Sequence, residues 1–405
     1  MRREGDNMTR VKRGNRGAVL RALHESGGMS RKRLAERVAL TPAAITKIAG
    51  ELISEGLVSE GGVMSGRGAG RREIMLALDR EKKAALGIFI DLGEAVLSAL
   101  RLDGSVIFSE RAQMPAERGA DETVKALCAR LLELSDAHAL SREDLIGVGV
   151  AVRGLVSADG RRVRDSYGAL GELDYPICER VEELTGLRAV LSNNVRALFA
   201  AQLFLCPDEG CDSQFFLRCN RGIGASLSID GRIWLGSSQQ CAEIGHSPLV
   251  RRGGKPCTCG KCGCLETVAS PGAIRADAME LIKLGKAPIL YRVYAARGEL
   301  TLEDVLDAAR GGDADASALV DRAVEALASA LKTVLYTLDP GRIVFYGRIF
   351  ENGYYLSKLQ AELREGVDSA HSIPAEKSGM NLRLEERAAA LLAVERLFEN
   401  GGWDD

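Results

Sequence analysis

The sequence lacks both long apolar runs and an apolar N-terminal segment. No part of the 405-residue chain approaches the roughly 20 consecutive apolar residues that a membrane-spanning helix requires. The charged opening MRREGDNMTRVKRGNR has no apolar core of an export signal. We therefore expect a cytoplasmic protein with no membrane partner. Hydrophobic residues make up 46% and charged residues 27% of the chain, which is typical of a globular protein, and the length predicts two or three domains.

Disulfide bonds are not expected either, although the chain has ten cysteines. A large chain without an export signal indicates the reducing cytosol, where disulfides are rare. Four of the ten cysteines lie within eight residues, at positions 257, 259, 262 and 264, and this spacing is typical of a metal site. Gly260 and Gly263 lie among them and permit the tight turns that such a site needs.

A histidine, His246, lies eleven residues before the first of these cysteines. Thiolates together with an imidazole favour tetrahedral zinc. Four ligands drawn from the five candidates would fill the coordination shell and leave no position for an activated water. The sequence therefore predicts a structural Zn2+ site. Reduced cysteines without a metal are the alternative interpretation.

Charge is distributed unevenly, which the net value of −2 conceals. Residues 1–83 contain 18 Lys and Arg against 10 Asp and Glu, whereas residues 84–405 contain 36 against 46. A basic N-terminal part joined to an acidic remainder indicates that the N-terminal part meets a polyanion. On charge alone, a solvated basic surface would be the simpler interpretation.

The first 80 residues predict three helices. A helix over 9–25 ends at the Gly-Gly pair 27–28, and Ser30 is the expected N-cap of a short second helix. Thr41 is the expected N-cap of a third helix. Pro42 lies in its first turn, where a missing N–H costs nothing.

The third helix has an apolar face and an open face. Its apolar residues Ile45, Ile48 and Leu52 are three and four positions apart, which leaves small and basic side chains on the opposite side. Two short helices joined by a tight turn, the second with such an open face, predict a helix-turn-helix. The residues of this helix expected to contact DNA are Thr41, Ala43, Ala44, Thr46 and Lys47.

A wing is predicted after the third helix. Two strands, over 57–59 and 74–78, enclose the glycine-rich loop GGVMSGRGAGRR. The basic residues in this loop lie among glycines, so the backbone can approach a DNA groove or phosphates. They are Arg67, Arg71 and Arg72. A three-helix protein-interaction module is the alternative interpretation, but the element order, the caps and the wing all agree with DNA binding.

From residue 84 onward, strand patterns alternate with helical ones. The segments AALGIFIDLG and AVLSALRLDGSVIFSERAQM predict a three-stranded meander followed by a helix near 123–134. CDSQFFLRCNRGIGASLSIDGRIWLG predicts a second unit of the same kind. LIGVGVAVRGLV, LRAVLSNNV and GRIVFYG predict further buried strands. Two halves that each open in this way predict a duplicated, two-lobed α/β fold with a ligand cleft between the lobes.

These motifs together resemble those of the ROK family (repressors, open reading frames and sugar kinases) over essentially the whole chain. CAEIGHSP and CTCGKCGCLE resemble the family signatures ExGH and CxCGxxGCxE. LAERVALTPAAITKI and ELISEGLV, followed by GRR, resemble the DNA-binding domain of its xylose, N-acetylglucosamine and glucose-type repressor branch. The resemblance implies an α/β protein in which a winged helix-turn-helix precedes a two-lobed, sugar-kinase-like fold of the ribonuclease H-like (actin-like ATPase) type with a structural zinc site.

The resemblance also assigns roles to individual residues. It implies that Cys262 is a bystander and that the zinc ligands are His246, Cys257, Cys259 and Cys264. It implies that the residues that grip a sugar are Asn193, Asn194, Glu243, His246 and Glu266. Carboxylates and amides suit this task, since they form paired hydrogen bonds with vicinal hydroxyls. His246 belongs to both sets, with one ring nitrogen on zinc and the other toward the ligand, so the metal would orient it.

Departures from the family pattern bear on catalysis. Asn194 stands where a ROK kinase has its carboxylate base, and loss of a general base costs about 10²- to 10⁴-fold in rate. Glu94 puts a negative side chain into the first phosphate turn. Tyr346 and Arg348 replace glycines of the late nucleotide-binding segment, while a second phosphate turn, RGIG over 221–224, is better preserved. We therefore predict no catalytic residues and no kinase activity.

The sequence thus predicts a DNA-binding transcriptional regulator of carbohydrate-metabolism genes, in the family's commoner mode a repressor, controlled by a sugar or sugar phosphate. A homodimer or homotetramer would present paired heads to a palindromic operator. The expected domains are the winged helix-turn-helix (1–82), a first lobe (83–197 with 375–405) and a second lobe with the zinc loop (198–374). Two alternatives stay open: an ATP-dependent ROK sugar kinase, and a ligand-blind sensor controlled by a regulatory protein that docks on the zinc loop.

Overall fold

The chain forms two compact units. One contains residues 1–207 together with 385–405, and the other contains residues 208–384. Within them, the residues that the computed structural model describes are 8–64, 73–114, 119–207 and 211–402. In these ranges, no helix has the length and apolarity needed to cross a bilayer.

The N-terminal segment of the first unit, here called the head (residues 8–78), has the predicted three helices followed by two strands. Its elements are α1 (Met8–Ser26), β1 (Met29–Ser30), α2 (Arg31–Arg37), α3 (Pro42–Ser54), β2 (Val58–Met64) and β3 (Glu73–Leu78). The sequence does not predict β1, a two-residue strand that pairs antiparallel with β3. The wing arginines, Arg67, Arg71 and Arg72, lie outside the described residues.

Side-chain caps set the start of α2 and of α3. The Ser30 hydroxyl accepts a hydrogen bond from Arg33 N at 3.4 Å, and the Thr41 hydroxyl accepts one from Ala44 N at 3.2 Å. Each satisfies an N–H that has no partner inside its helix. The buried residues of α3 are Ile45, Ile48, Ala49 and Leu52, whereas Ala43, Thr46 and Lys47 are exposed. The predicted caps and faces are confirmed.

The rest of the first unit is built on a mixed five-stranded sheet. Its elements are β4 (Ala84–Asp91), β5 (Glu94–Arg101), β6 (Val106–Gln113), α4 (Ala120–Ala137), β7 (Leu145–Val152), β8 (Leu155–Val156), β9 (Val163–Asp165), α5 (Ile177–Thr185), β10 (Ala189–Asn193) and α6 (Asn194–Leu205). The sheet order is β10-β7-β4-β5-β6, and β8 and β9 form a separate hairpin. The expected meander, the helix near 123–134 and the buried strands are confirmed.

The second unit contains another mixed five-stranded sheet, covered by helices. Its elements are β11 (Ser213–Cys219), β12 (Ile223–Ile229), β13 (Arg232–Ile233), α7 (Glu266–Ala269), α8 (Pro271–Lys283), α9 (Pro288–Arg297), α10 (Leu302–Arg310), α11 (Ala314–Leu338), β14 (Arg342–Tyr346), α12 (Gly353–Arg364) and β15 (Ala375–Lys377). The sheet order is β13-β12-β11-β14-β15. Apolar residues of β11, α8, α10 and α11 form one continuous core.

The two sheets share one topology. Each begins with an antiparallel meander, β4-β5-β6 in the first unit and β11-β12-β13 in the second. In each, a later strand pairs in parallel with the first meander strand, β7 with β4 and β14 with β11. A second later strand then pairs in parallel with that one, β10 with β7 and β15 with β14. The prediction of a duplicated α/β fold is confirmed.

The last helix, α13 (Glu385–Asn400), packs between the first unit's sheet and the head. A Cβ added at Gly149 of β7 would lie 1.7 Å from Ala389 O, and a Cβ added at Gly17 of α1 would lie 2.1 Å from Phe398 O. Only glycine permits backbones to approach this closely. The head and the first sheet belong to one compact unit, and the contact at Gly17 is one of those that join them. The boundary expected at residue 82 stays a prediction.

A titratable group of α13, Glu395, lies near Arg21 of α1. Burial, together with repulsion from Glu399, raises the pKa of the Glu395 carboxyl from 4.5 to about 7, and Arg21 opposes the shift. The folded chain therefore holds a proton that the unfolded chain releases at lower pH. A raised acid pKa contributes stability that is complete below pH 4.5 and is lost as the pH rises through 7.

We expect Glu395→Gln to remove this pH dependence. At pH 8 the variant should melt several degrees above the wild type, since about 1 kcal/mol shifts Tm by about 2–4 °C in a unit of this size. At pH 5 the difference should be much smaller. Calorimetry at the two pH values measures both, with Glu122→Gln, an exposed carboxyl on α4, as the matched control. An equal gain at pH 5 and pH 8 would show that Glu395 is not protonated in the folded chain.

Candidate metal centre and ligand residues

Four side chains of the second unit converge on one point. The ligand atoms of His246, Cys257, Cys259 and Cys264 all lie within 4.8 Å of one another. Cys257 Sγ is 3.5 Å from His246 Nδ1, and Cys259 Sγ is 3.7 Å from Cys264 Sγ. Two sulfurs bound tetrahedrally to zinc at about 2.3 Å would be about 3.8 Å apart. The cluster therefore has the dimensions of a four-coordinate site, and Cys262 is exposed outside it.

Backbone turns shape the loop that carries the cysteines. Cys257 N donates to Lys261 O at 2.8 Å, and Gly260 N donates to Cys257 O at 3.0 Å. Gly260 has φ 82°, and Gly263 has φ 74°. A Cβ at Gly263 would also lie 2.0 Å from Val250 O. Both the positive φ and this contact therefore exclude a side chain at position 263. These are the two turn-forming glycines that the sequence identifies.

The thiols of the cluster differ in acidity when no cation is present. Desolvation raises the pKa of Cys264 and of Cys257. Burial acts in the same direction on Cys259, but hydrogen bonds from the Lys261 backbone and from the neighbouring thiols outweigh it and lower its pKa. Metal ligands must lose their protons, and a cation supplies the charge that burial otherwise disfavours. Three sulfurs and one imidazole in this arrangement fit a thiophilic divalent ion.

Glu266 lies between this cluster and the RGIG turn. Its Oε2 accepts a hydrogen bond from Ile223 N at 2.9 Å, and a Cβ at Gly222 would lie 2.2 Å from the same oxygen. Its Oε1 is 4.0 Å from Cys257 Sγ. The Glu266 carboxylate therefore connects the cysteine-bearing loop with the RGIG turn.

Glu243 precedes the short 3-10 turn that carries His246. The turn covers Ile244–His246, and its histidine has Nδ1 on the side of the cysteines. Glu243 lines a cavity of about 480 Å³ with mostly apolar walls, which include Leu249 and, from α11, Val334 and Leu338. The expected sugar-binding residues of the second unit are Glu243, His246 and Glu266. They all lie within residues 243–266, the segment that also contains the four candidate metal ligands.

In the first unit, Asn193 and Asn194 join β10 to α6. Asn193 is the N-cap of α6: its Oδ1 accepts from Val195 N at 2.8 Å and from Arg196 N at 3.3 Å, and its Nδ2 donates to Gly154 O at 2.8 Å. Its amide is thus largely committed to the fold. Asn194 is only 2% exposed, and its Nδ2 has no hydrogen-bond partner within the described part of the chain. An unpaired buried amide costs free energy, which a ligand acceptor would recover.

The turn that the sequence aligns with the first phosphate turn of ROK kinases is a two-residue hairpin between β4 and β5. Asp91 and Glu94 are paired across it. The Asp91 carboxylate is buried, 4.0 Å from the Arg153 guanidinium. The Glu94 carboxylate lies 3.9 Å from the Arg111 guanidinium. Both acids therefore have cationic neighbours on the protein itself.

Residues 343–348, IVFYGR, correspond in the resemblance to the late nucleotide-binding segment of ROK kinases. In this chain they place Tyr346 in the interior of the second unit. Its ring is 2% exposed and stacks on Phe216, with ring centroids 5.8 Å apart. Gly347 follows with φ 134°, and Arg348 is exposed at the start of a 3-10 turn. An aromatic core residue therefore ends the strand at which the family pattern has glycine.

Comparison with known proteins decides the family. A model of the ROK family matches residues 88–391, and a model of winged helix-turn-helix DNA-binding domains matches residues 13–59. The chain belongs to the ROK family. The resemblance carried by the sequence motifs is thereby confirmed, and so is the expected combination of a winged helix-turn-helix with a kinase-like α/β fold.

Among ROK relatives, both repressors and kinases are similar to this chain. The N-acetylglucosamine repressor of Shigella flexneri is 29% identical over 403 residues, which cover 98% of this chain and 95% of the relative. The glucokinase of Halalkalibacterium halodurans is 30% identical over 266 residues, covering 66% of this chain and 78% of the relative. The repressor alignment, at 98% of this chain, includes the head as well as the α/β units.

A solved structure has the same fold. The crystal structure of a ROK family transcriptional regulator, a homologue of the Escherichia coli MLC protein, superimposes with a TM-score of 0.82 at 24% identity. The match covers 97% of this chain and 98% of that chain. The order of head and α/β units is therefore shared along the whole length.

We expect Cys259→Ser to abolish tight binding of a divalent ion and Cys262→Ser to preserve it. Serine removes one of four ligands in the first variant, whereas Cys262 lies outside the cluster. Elemental mass spectrometry of the purified chains measures the bound ion, and the melting temperature with and without chelator measures its contribution to stability. Equal metal content in the two variants would contradict the four-residue cluster.

Proposed function

We propose that this ROK protein is a DNA-binding transcriptional regulator of carbohydrate-metabolism genes, in its simplest form a repressor, and that a sugar or sugar phosphate controls it. One observation carries the proposal: a capped α3 with an exposed small-and-basic face precedes an α/β body that aligns along its full length with a sugar-gene repressor. Its partners would be operator DNA, the sugar effector and a second copy of the chain, in the cytoplasm.

In this proposal, α3 enters the major groove of DNA. The contacting residues would be Thr41, Ala43, Ala44, Thr46 and Lys47, with the wing residues Arg67, Arg71 and Arg72 reaching an adjacent minor groove or phosphates. The Thr46 hydroxyl donates to Pro42 O at 2.8 Å, which leaves its methyl group for an apolar contact with thymine. Lys47 is exposed and supplies the charge that a phosphate or guanine requires.

The body would bind its ligand without phosphorylating it. Asn194 has an amide where catalysis requires a base. Glu94, whose carboxylate lies 3.9 Å from the Arg111 guanidinium, puts a negative side chain into the turn where a kinase would hold phosphate. Tyr346 is buried where nucleotide would need close access to the backbone. Each of these three observations argues against ATP-dependent sugar phosphorylation, the competing function.

We assign the metal as structural Zn2+, held by His246, Cys257, Cys259 and Cys264. A four-ligand protein shell supports this assignment, since catalytic zinc sites keep a position open for water. The ion would cross-link the loop after β13 to the start of α7. It would also fix the ring of His246, one of the sugar-binding candidates.

The proposed sugar-binding residues are Asn193, Asn194, Glu243, His246 and Glu266. Asn194 is the best supported of them, because it is buried and its Nδ2 needs an acceptor. Asn193 keeps only one amide N–H beyond its cap and its bond to Gly154. We therefore assign it mainly the task of holding α6, with a minor share in ligand binding.

We expect Lys47→Ala to weaken binding of the full chain to DNA and to lower its salt dependence. A lost phosphate contact should reduce the slope of log Kd against log salt by about 1, and a lost base contact should cost about 1–3 kcal/mol at one position of the site. Fluorescence anisotropy on DNA selected from a random pool by the wild type measures both. Lys125→Ala, an exposed lysine on α4, is the matched control. Unchanged binding in Lys47→Ala would reject the assigned face of α3.

We expect one member of a panel of glucose, N-acetylglucosamine, xylose and their phosphate esters to raise the melting temperature by several degrees. At a concentration of 100 Kd, a ligand stabilises the folded state by about 2.7 kcal/mol. Glu243→Ala and Asn194→Ala should lose the shift, while Lys125→Ala should retain it. ATP-coupled assays on the same panel should show no turnover. Turnover that Asp91→Ala abolishes would instead establish a sugar kinase.

A further inference from the structure

Helix α6 extends from the two candidate ligand asparagines to the head. Asn193 caps it, Asn194 is its first residue, and its 12 residues end at Leu205. At about 1.5 Å per residue, the helix is about 18 Å long. It packs against α13 over much of that length, and most of its side chains are buried. The helix is therefore one packed element that joins the candidate ligand residues to its C-terminal end.

The C-terminal end of α6 contacts α1. His24 Nε2 of α1 is 2.9 Å from Phe204 O, and the two rings stack with centroids 3.9 Å apart at 27°. Phe398 of α13 completes the cluster, with its ring centroid 5.7 Å from that of Phe204 and 6.2 Å from that of His24. Three helices thus meet at one aromatic contact.

A second contact joins α1 to α3, the proposed DNA-reading helix. The side chain of Arg16 is 8% exposed, and its guanidinium donates in three directions. Nη1 donates to Glu51 Oε2 at 3.0 Å, Nη2 donates to Glu55 Oε2, and Nε donates to Gly401 O just beyond α13. One buried cation therefore connects the C-terminal end of α3 with the end of α13.

Helix α1 packs against α13 at backbone distance. At Gly17, between Arg16 and His24, the backbones are too close for a Cβ. Gly14, one turn earlier, has open space around its Cβ position. Glycine is required at the first position for packing, and at the second it only lowers helix propensity.

From these contacts we infer that α1 transmits ligand occupancy to the DNA-reading helix, receiving it from α6 at His24 and passing it to α3 through Arg16. The inference rests on the proposed function, since it assumes a ligand at Asn194 and DNA at α3. A ligand alters DNA affinity only if it binds two arrangements of α6 unequally. Coupling of this kind typically changes affinity about 5- to 150-fold.

The experiment measures three quantities for each full-length variant: DNA Kd, sugar Kd, and the ratio of DNA Kd with and without sugar. The probes are DNA selected from a random pool and, tested singly, glucose, N-acetylglucosamine and their 6-phosphates. In His24→Ala, both Kd values should stay within about twofold of wild type while the ratio falls toward 1, whereas wild type keeps a ratio of about 5 or more. His24→Phe, which keeps the ring but not the hydrogen bond, should retain part of the ratio.

Arg16→Lys tests the other end. It keeps the charge but cannot reach three acceptors that lie in different directions. We expect a lower ratio with unchanged sugar Kd, and an altered DNA Kd because α3 is less firmly held. Gly17→Ala should also lower the ratio, and Gly14→Ala on the same helix should leave it unchanged. A wild-type ratio in His24→Ala together with Arg16→Lys would overturn the inference.

Hydrogen exchange gives a readout that needs no sugar. Because coupling is reciprocal, DNA binding at the head should change amide exchange in residues 194–205 of the wild type and not in His24→Ala. If no sugar binds but this exchange effect is present, the sugar assignment fails and the relay through α1 stands. If DNA binds the wild type without any effect on α6, the relay fails and the DNA-binding function stands. If the wild type binds no DNA, both are rejected.

Discussion

The backbone-level packing of α13 is the constraint on which the first unit depends. This helix is the last in the chain, yet it lies against β7 at Gly149 and against α1 at Gly17, at distances that exclude any side chain. Residues 388–390 of this helix are buried alanines, and their small side chains permit that approach. Helix α13 therefore covers the sheet and contacts the head at once. Within the first unit, the head packs on the α/β core through a close backbone contact.

The second unit depends on a different kind of constraint, a loop closed by four side chains. Gly260 and Gly263 turn the chain so that Cys257, Cys259 and Cys264 face His246, and the same turn delivers Glu266 to Ile223 N. The segment 257–266 thus carries three of the four candidate metal ligands and the carboxylate that bonds to the RGIG turn. Exchanging any of these residues would therefore affect the others as well.

What the sequence predicts well is local. The caps Ser30 and Thr41, the faces of α3, the meanders and the convergence of four metal-ligand side chains all follow from short-range patterns, and the structure has each of them. The two-residue strand β1 is not predicted, because its strand conformation is defined by its pairing with β3, more than 40 residues later in the chain. Arg16 and His24 carry no motif at all, since their partners lie 35 to 385 residues away. The N-cap role of Asn193 could be predicted from the sequence, because an asparagine between a predicted strand and a predicted helix favours an N-cap over a ligand-binding residue.

Position 194 has an amide where ROK kinases have a carboxylate, and this difference agrees with the proposed role as a sensor. A kinase uses binding energy to lower a chemical barrier and then releases its product, so occupancy reflects turnover as well as concentration. In the proposed function, an amide in place of the base would slow the chemical step by about 10²- to 10⁴-fold, and the same binding energy would become available to shift a conformational equilibrium. The helix that begins at this residue ends against the head. In the proposed function, the residue that loses catalysis is therefore also the first residue of the element that reports binding.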